Sequence, residues 1–382
     1  MGFAFMHENR LKKKICRLLS SAVLFSIMIS MLGTLFSTPA LAAMPSVSAA
    51  SAILIDADSG SVLWQQNADE RRPMASTTKI MTALVALETA PLDTPLTVPS
   101  SAVGIEGSSA CLKGGEAMTL EDLLYIMLLE SANDAAAAIA VTLGGSIEGF
   151  ADMMNEKAHE LGLENTSFAN PHGLDDENHY TTAAELAKIA AAAMKNPEFV
   201  KIVSTYRCKL PLSGGGFRYL LNHNKMLKLY DGALGVKTGF TKKSGRCLVS
   251  AAKRGDTTLI AVTLSAPDDW NDHRAMLDFG FAGYETRILH TPGEYSNIVP
   301  IIGKKITYAE VVSDSGASGL FKVGAKPCEA HVYLPRFFVT RIAPGDCVGE
   351  IVFTSDDGIV ARVPLCVKQI MDVAAEQDSA GE

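Results

Sequence analysis

What the chain lacks narrows it first. None of its seven cysteines stands in a C-x-x-C spacing, so a zinc-ribbon or thioredoxin-like reading fails. Nor is there a basic excess: Lys and Arg number 34 against 42 Asp and Glu, a formal charge of -8. That balance argues against nucleic acid as a partner and offers nothing to hold anionic lipid. After the first 42 residues no apolar run is long enough to cross a bilayer. No internal repeat or low-complexity run occurs. What remains is ordinary globular composition, 48% hydrophobic and 20% charged, and a length of 382 residues that suggests two domains.

Residues 1–42 are of another kind. Arg10, Lys12, Lys13, Lys14 and Arg17 precede an apolar run over 18–36, followed by Pro39-Ala40-Leu41-Ala42. This order is that of a secretory signal peptide with an Ala-x-Ala cleavage site, so the mature chain is expected to begin near Ala43 and to act outside the cytoplasm. The apolar run also approaches spanning length, which leaves an uncleaved anchor as the alternative. The leader carries five basic residues and Glu8, a net of +4, so its removal takes the charge from -8 to -12. Cys16 departs with it and is no lipidation site, since lysines precede it. Cys111, Cys208, Cys247, Cys328, Cys347 and Cys366 remain, and for a domain this large free thiols or one or two bridges are expected.

Apolar alternation about Asp58-Ser59-Gly60 predicts a hairpin over 51–65. A helix is predicted over 76–88 and another from a capping box at Thr119-Leu120-Glu121-Asp122 through 129. An alanine-rich helix is predicted from Asn133 to Gly144-Gly145, and one over 182–194. Strands are expected over 235–241, 246–252 and 257–265, covered by a helix over 273–284. Residues 43–287 therefore read as an α/β domain, an antiparallel sheet with helices and a helical subdomain. Residues 288–366 read as a small all-β domain with strands over 306–312, 319–323, 329–334, 337–342, 349–353 and 358–364, and 367–382 as an acidic tail.

In "MASTTKIMTA", residues 74–83, Ser76 and Lys79 stand three apart at a helix start. Taken alone this could be a capping serine beside a solvated lysine. Residues three apart share a helical face, however, so the amine can reach the hydroxyl, and it can act as a base if burial or a neighbouring cation keeps it neutral. Ser131-Ala132-Asn133 lies between two predicted helices, where a hydroxyl can relay protons and a carboxamide can hold both substrate and lysine. Lys237-Thr238-Gly239 lies on a predicted edge strand, where Lys237 and Thr238 can bind a carboxylate and Gly239 lets a substrate backbone approach.

The order S-x-x-K, S-x-N, K-T-G resembles that of penicillin-binding proteins and serine β-lactamases. The longer stretches "RRPMASTTKIMTALVALE", "MTLEDLLYIMLLESANDAAAAIA", "NPHGLDDENHYTTAAELAKIA" and "GVKTGFTKKSGRCLVSAAKR" are similar to the low-molecular-mass penicillin-binding proteins that are D-alanyl-D-alanine carboxypeptidases, the S11 peptidases. The resemblance implies a transpeptidase-like domain with a β-rich domain after it. It implies that Ser76 is the nucleophile, Lys79 the base, Ser131 the proton relay and Asn133 the positioning amide. Lys237 and Thr238 would hold the terminal carboxylate of a peptidoglycan stem peptide ending in D-Ala-D-Ala, and the N–H groups of Ser76 and Phe240 the oxyanion. No metal or cofactor is implied; β-lactams would be covalent inhibitors, and the setting would be cell-wall biogenesis and cell shape.

Other features take plainer readings. His172, in a turn, is expected to be structural, and Gly214-Gly215-Gly216 a hairpin turn. Many family members place a carboxylate-binding arginine after the K-T-G hairpin; here that segment reads "APDDWNDHRAML", a departure from the pattern that leaves Arg274 outside the expected site. The tail lacks the basic amphipathic helix with which many members end, so membrane contact is expected only through an uncleaved leader, if at all, or from the β-domain. A non-catalytic β-lactam or wall-peptide sensor, an endopeptidase and a β-lactamase are the alternatives. For the last, Glu160-Leu161-Gly162-Leu163-Glu164-Asn165 is one residue too long for the E-x-x-L-N stretch of the class A enzymes.

Overall fold

The turn at Asp58-Ser59-Gly60 forms because Asp56 Oδ2 accepts from the Ser59 amide at 3.0 Å and its hydroxyl at 2.8 Å, while Gly60 takes φ +71°. The arms of this hairpin are β1, Ser51–Asp56, and β2, Val62–Gln66. In this computed structural model residues 44–212, 215–303, 306–356 and 358–372 are described. The predicted leader and the end of the acidic tail lie outside them. Alternation ordinarily leaves one face of a hairpin wet, yet β1 is buried throughout. Ile53 and Ile55 enter one apolar cluster and Ala52 and Leu54 another, so both faces are covered.

After Pro73 a 3-10 turn, Ala75–Thr78, runs directly into α1, Lys79–Thr89. The short strands β3, Pro95–Thr97, and β4, Ala117–Thr119, lead to α2, Leu120–Leu129. The expected capping box starts α2: Thr119 Oγ1 accepts from the Asp122 amide and Asp122 Oδ2 from the Thr119 amide, both at 3.1 Å. The next helix, α3, Asn133–Gly144, ends where Gly145 takes φ +77°. Then come α4, Ile147–Glu160, α5, Ala183–Met194, and α6, Pro197–Ser204. Of these only α5, capped by Thr182, was expected. The hairpin of β5, Arg207–Pro211, and β6, Phe217–Leu221, turns through Gly215 and Gly216, both at positive φ; Gly214 lies outside the described residues.

Three strands complete the main sheet: β7, Ala233–Thr241, β8, Gly245–Arg254, and β9, Thr257–Leu264. The order is β2-β1-β9-β8-β7, antiparallel throughout, which puts the K-T-G triplet on an edge strand. One face is covered by α7, Asp269–Gly283, through Met276 and Leu277 against Leu54, Leu248 and Leu259. The other carries the helical cluster.

From Tyr284 the chain is β-structure: β10, Tyr284–His290, β11, Ser296–Ile301, β12, Thr307–Ser313, β13, Ala317–Lys322, β14, Glu329–Tyr333, β15, Cys347–Ser355, and β16, Gly358–Asp372. β10 pairs with β13, and the rest form a sheet in the order β11-β12-β16-β15-β14. Two expectations need correction. Residues 337–342 make only a single bridge, Phe338 to Ile301, because Phe338 turns into the core while Phe337 and Val339 face out. The last strand runs past the 366 boundary to Asp372, because Val367 to Asp372 pair with β12. A disulfide joins Cys347 to Cys366 across β15 and β16; Cys111, Cys208, Cys247 and Cys328 are free.

Candidate active site

Ser76 does not cap a helix. It lies within the 3-10 turn, and neither Met74 nor Thr78, the two residues in capping positions, makes a side-chain cap bond. Ala75 holds φ +48°, an uncommon conformation for a residue with a Cβ. Two glycines grip this turn. A Cβ on Gly173 would lie 2.0 Å from the Ala75 carbonyl oxygen, and one on Gly239 would lie 3.0 Å from the Ser76 nitrogen. Gly239 thus makes room for the backbone of the serine's own turn, beside any room it leaves a substrate.

One helical turn on, Lys79 is wholly buried. Its Nζ lies 2.9 Å from Ser76 Oγ, 2.7 Å from Asn133 Oδ1 and 2.5 Å from the carbonyl oxygen of His172. Asn133 Nδ2 donates to the Glu106 carbonyl at 2.5 Å, which turns Oδ1 toward the lysine. Ser131, between α2 and α3, holds φ +60°. Its Oγ is 2.9 Å from Nζ of Lys237, a second buried lysine, which also donates to the Thr238 carbonyl at 3.0 Å. Beneath them Asp134 accepts from Ser109 Oγ at 2.6 Å and from the amides of Ala110 and Leu112 at 3.1 Å, pinning the loop that carries Glu106 and Ser108 to the head of α3.

Burial sets the charge state of both amines. It pushes the Lys79 pKa well below the ordinary lysine value, with the nearby Lys237 adding to the effect and Asp134 opposing it. Burial alone lowers Lys237 to about 7. His172 is held neutral, its pKa pushed down to about 3 by burial and then by Lys79 and His179. The imidazole of His172 accepts from the Leu174 amide at 3.4 Å; what reaches the site is its backbone carbonyl. No side-chain motif announces a carbonyl, so this partner of Lys79 was invisible in the sequence.

A cleft of about 350 Å³ opens over these groups and is lined by Ser76, Ser131, Thr238, Gly239 and Phe240, with His223 and Lys225 on its wall. Arg246, Asp269 and Trp270 also line it. The register of β7 and β8 sets Arg246 opposite Phe240. Its Nη2 donates to the buried carboxylate of Asp269 at 2.7 Å, and the guanidinium lies 5.6 Å from the Trp270 ring centre. Arg274 is exposed on α7 and is not part of the lining. The arginine of the cleft therefore comes from the strand after K-T-G. A tight turn over 242–244 returns the chain opposite Phe240, a pairing that could have been read from the hairpin spacing.

Comparison with known proteins bears on the family and the fold. A family model described as Peptidase S11, D-alanyl-D-alanine carboxypeptidase, matches residues 38–268. The D-alanyl-D-alanine carboxypeptidase DacF of Bacillus subtilis (strain 168) is 34% identical over 336 residues, 85% of this chain and 86% of that one. A D-alanyl-D-alanine carboxypeptidase of Streptomyces sp. (strain K15) is 37% identical over 271 residues, 65% of this chain and 93% of that one. Among solved structures, penicillin binding protein 5 from Haemophilus influenzae superposes with a TM-score of 0.70 at 27% identity, covering 86% of this chain and 99% of that one.

Proposed function

The chain belongs to the D-alanyl-D-alanine carboxypeptidase family, peptidase S11, and from that premise we infer how its cleft works as a serine-type carboxypeptidase on peptidoglycan stem pentapeptides. The observation that carries the mechanism is the set of contacts at Lys79. A neutral amine has two N–H groups and one lone pair. Asn133 Oδ1 and the His172 carbonyl can only accept, so together they occupy both N–H groups. The lone pair is left facing Ser76 Oγ at 2.9 Å. Burial beside Lys237 favours that neutral state.

In this reading Ser76 Oγ attacks the carbonyl between the two terminal D-alanines as Lys79 takes its proton. The tetrahedral oxyanion lies between the N–H groups of Ser76 and Phe240, since β7 runs against the Ser76 nitrogen at Gly239. Such donors are worth roughly 3 kcal/mol of barrier each. The C–N bond breaks, its nitrogen takes a proton through Ser131 from the buried lysine pair, and D-alanine leaves. Water then attacks the ester as Lys79 takes a proton from it, and Lys79 passes that proton to Ser76 Oγ as the carboxylic acid leaves, so serine and neutral amine are both restored. Thr238 and Arg246 line the cleft and, with the buried Lys237 next to Thr238, supply the positive and hydroxyl groups for the terminal carboxylate; Arg246 is an addition to the expected set. A β-lactam takes the place of the D-Ala-D-Ala amide and acylates the same oxygen.

We assign the reaction to residues 43–287 and a supporting role to the all-β domain over 288–366, extended to 372. The site of action is peptidoglycan outside the cytoplasm, and export by a cleaved signal peptide is our reading of residues 1–42. The test is mass spectrometry of the chain over 43–382 with penicillin, alongside D-alanine release from a peptide ending in D-Ala-D-Ala. Both should occur with the wild type and vanish in Ser76→Ala. Labelling without release would favour a sensor, and release that persists in the mutant would remove Ser76 from the mechanism.

A further inference from the structure

At one end of the C-terminal sheet two segments lie side by side. The Ile302 amide donates to the Phe338 carbonyl at 2.8 Å, and the Phe338 amide to the Pro300 carbonyl at 2.9 Å. Phe338 is buried in the sheet's core, and its neighbours are turned the other way: Phe337 is 51% exposed and Val339 70%. Ile302 and Ile306 are 49% and 56% exposed. Thr307, next to Ile306, pairs with both Ile301 and Asp372, so the chain also leaves β16 at this end.

Arg336 and Arg341 flank Phe337 and Val339, and both are exposed. Among the described residues neither has a hydrogen-bond or ion-pair partner. Elsewhere in the same region several cations are matched, Lys326 with Asp356, Arg362 with Glu350 and Lys368 with Glu310, and Lys322 on β13 is, among the described residues, a lone exposed exception. Exposed aromatic and aliphatic side chains between two unmatched guanidinium groups need a partner that is apolar and anionic at once. A surface of anionic lipid has that chemistry, taking the apolar side chains at the acyl boundary and the arginines at the headgroups. The net charge of -8, from which no lipid affinity was expected, averages over this local reversal. An acidic remainder would be repelled by such a surface, and the two arginines must also outweigh the acidic tail that follows Asp372 in the sequence.

We propose that the end of the C-terminal sheet formed by Ile302, Ile306, Arg336, Phe337, Val339 and Arg341 docks on anionic lipid membranes. The docking needs no turnover and is therefore tested apart from the carboxypeptidase reading.

The test is co-sedimentation of the chain over 43–382 with vesicles of phosphatidylglycerol and phosphatidylcholine, or of phosphatidylcholine alone. Circular dichroism and thermal melting check that the C-terminal sheet of each variant is folded, and penicillin labelling of Ser76 that the cleft is intact. The wild type should pellet with the anionic vesicles and be released by high salt. Arg336→Gln with Arg341→Gln should weaken that partition roughly 30-fold. Phe337→Ser with Val339→Ser should weaken it at any salt concentration, and both pairs should keep full penicillin labelling. Failure to pellet, equal binding to neutral vesicles, or variants that bind as the wild type does would overturn the proposal. So would self-association abolished by Phe337→Ser without lipid binding, which would make the patch a protein contact.

Discussion

Lys237 is a buried amine whose pKa falls to about 7 through burial, and this ties stability to pH. In the unfolded chain the same lysine titrates near 10.4. Between about 7 and 10.4 the unfolded state therefore holds more protons, and stability rises with pH across that window. Lys237→Met should raise the melting temperature at pH 7, by roughly 1 kcal/mol or more of stability, and flatten its rise toward pH 10. Calorimetry over that range reads it, and an unchanged slope would mean that Lys237 stays charged in the fold. Arg246 calls for a different measurement. Arg246→Leu should cost roughly 10-fold or more in kcat/KM on a peptide with a free terminal carboxylate, as expected for a lost charge-assisted contact. On the matching peptide amide the variant and wild type should be alike; an equal loss on both would make Arg246 a structural partner of Asp269 only.

At the scale of elements the site depends on how closely β7 and the loop at Gly173 approach the turn of Ser76. Gly173→Ala would put a Cβ 2.0 Å from the Ala75 oxygen at a residue with φ +91°, whereas Gly239→Ala meets its nearest atom at 3.0 Å. Gly173→Ala should be the more destabilising, at roughly 3 kcal/mol or more. Gly239→Ala should fold and acylate more slowly, and stopped-flow penicillin binding separates the two. Elements with a chemical start or stop signal were legible in the sequence: α2 by its capping box, α3 by Gly145, α5 by Thr182. α4 was not, because only Phe150, Ala151, Met154 and Ala158 of its fourteen residues are buried, a stripe too narrow to stand out. The strand expected over 337–342 failed for a different reason, since Phe338 makes its one bridge while the apolar Phe337 and Val339 that suggested a strand face out. The grouping of Ser76, Lys79, Ser131, Asn133 and Lys237 was legible because their side-chain types recur in a telling order along the chain. The His172 carbonyl was not, because any residue could supply that group.

Across the whole molecule the reaction and the C-terminal sheet should be separable. The bridge of Cys347 and Cys366 closes a short loop inside the β-region. Replacing both by serine should cost about 3 kcal/mol by the loop-entropy account. The early melting should be confined to the C-terminal region, with penicillin acylation at 25 °C unaltered. Parallel loss of acylation would show that the two regions unfold as one.

Of the four unbridged cysteines among the described residues, Cys247 is buried with its thiol pushed up to about 11, Cys208 and Cys328 are half-buried, and Cys111 is exposed. Cys111 lies in the loop that Asp134 pins, three residues from Ser108 on the cleft wall. The chain thus carries an optical reporter position ready made. A maleimide dye on Cys111 should change its emission as penicillin fills the cleft and stay silent in Ser76→Ala once unbound drug is washed away, which would let occupancy be followed in real time without a labelled antibiotic.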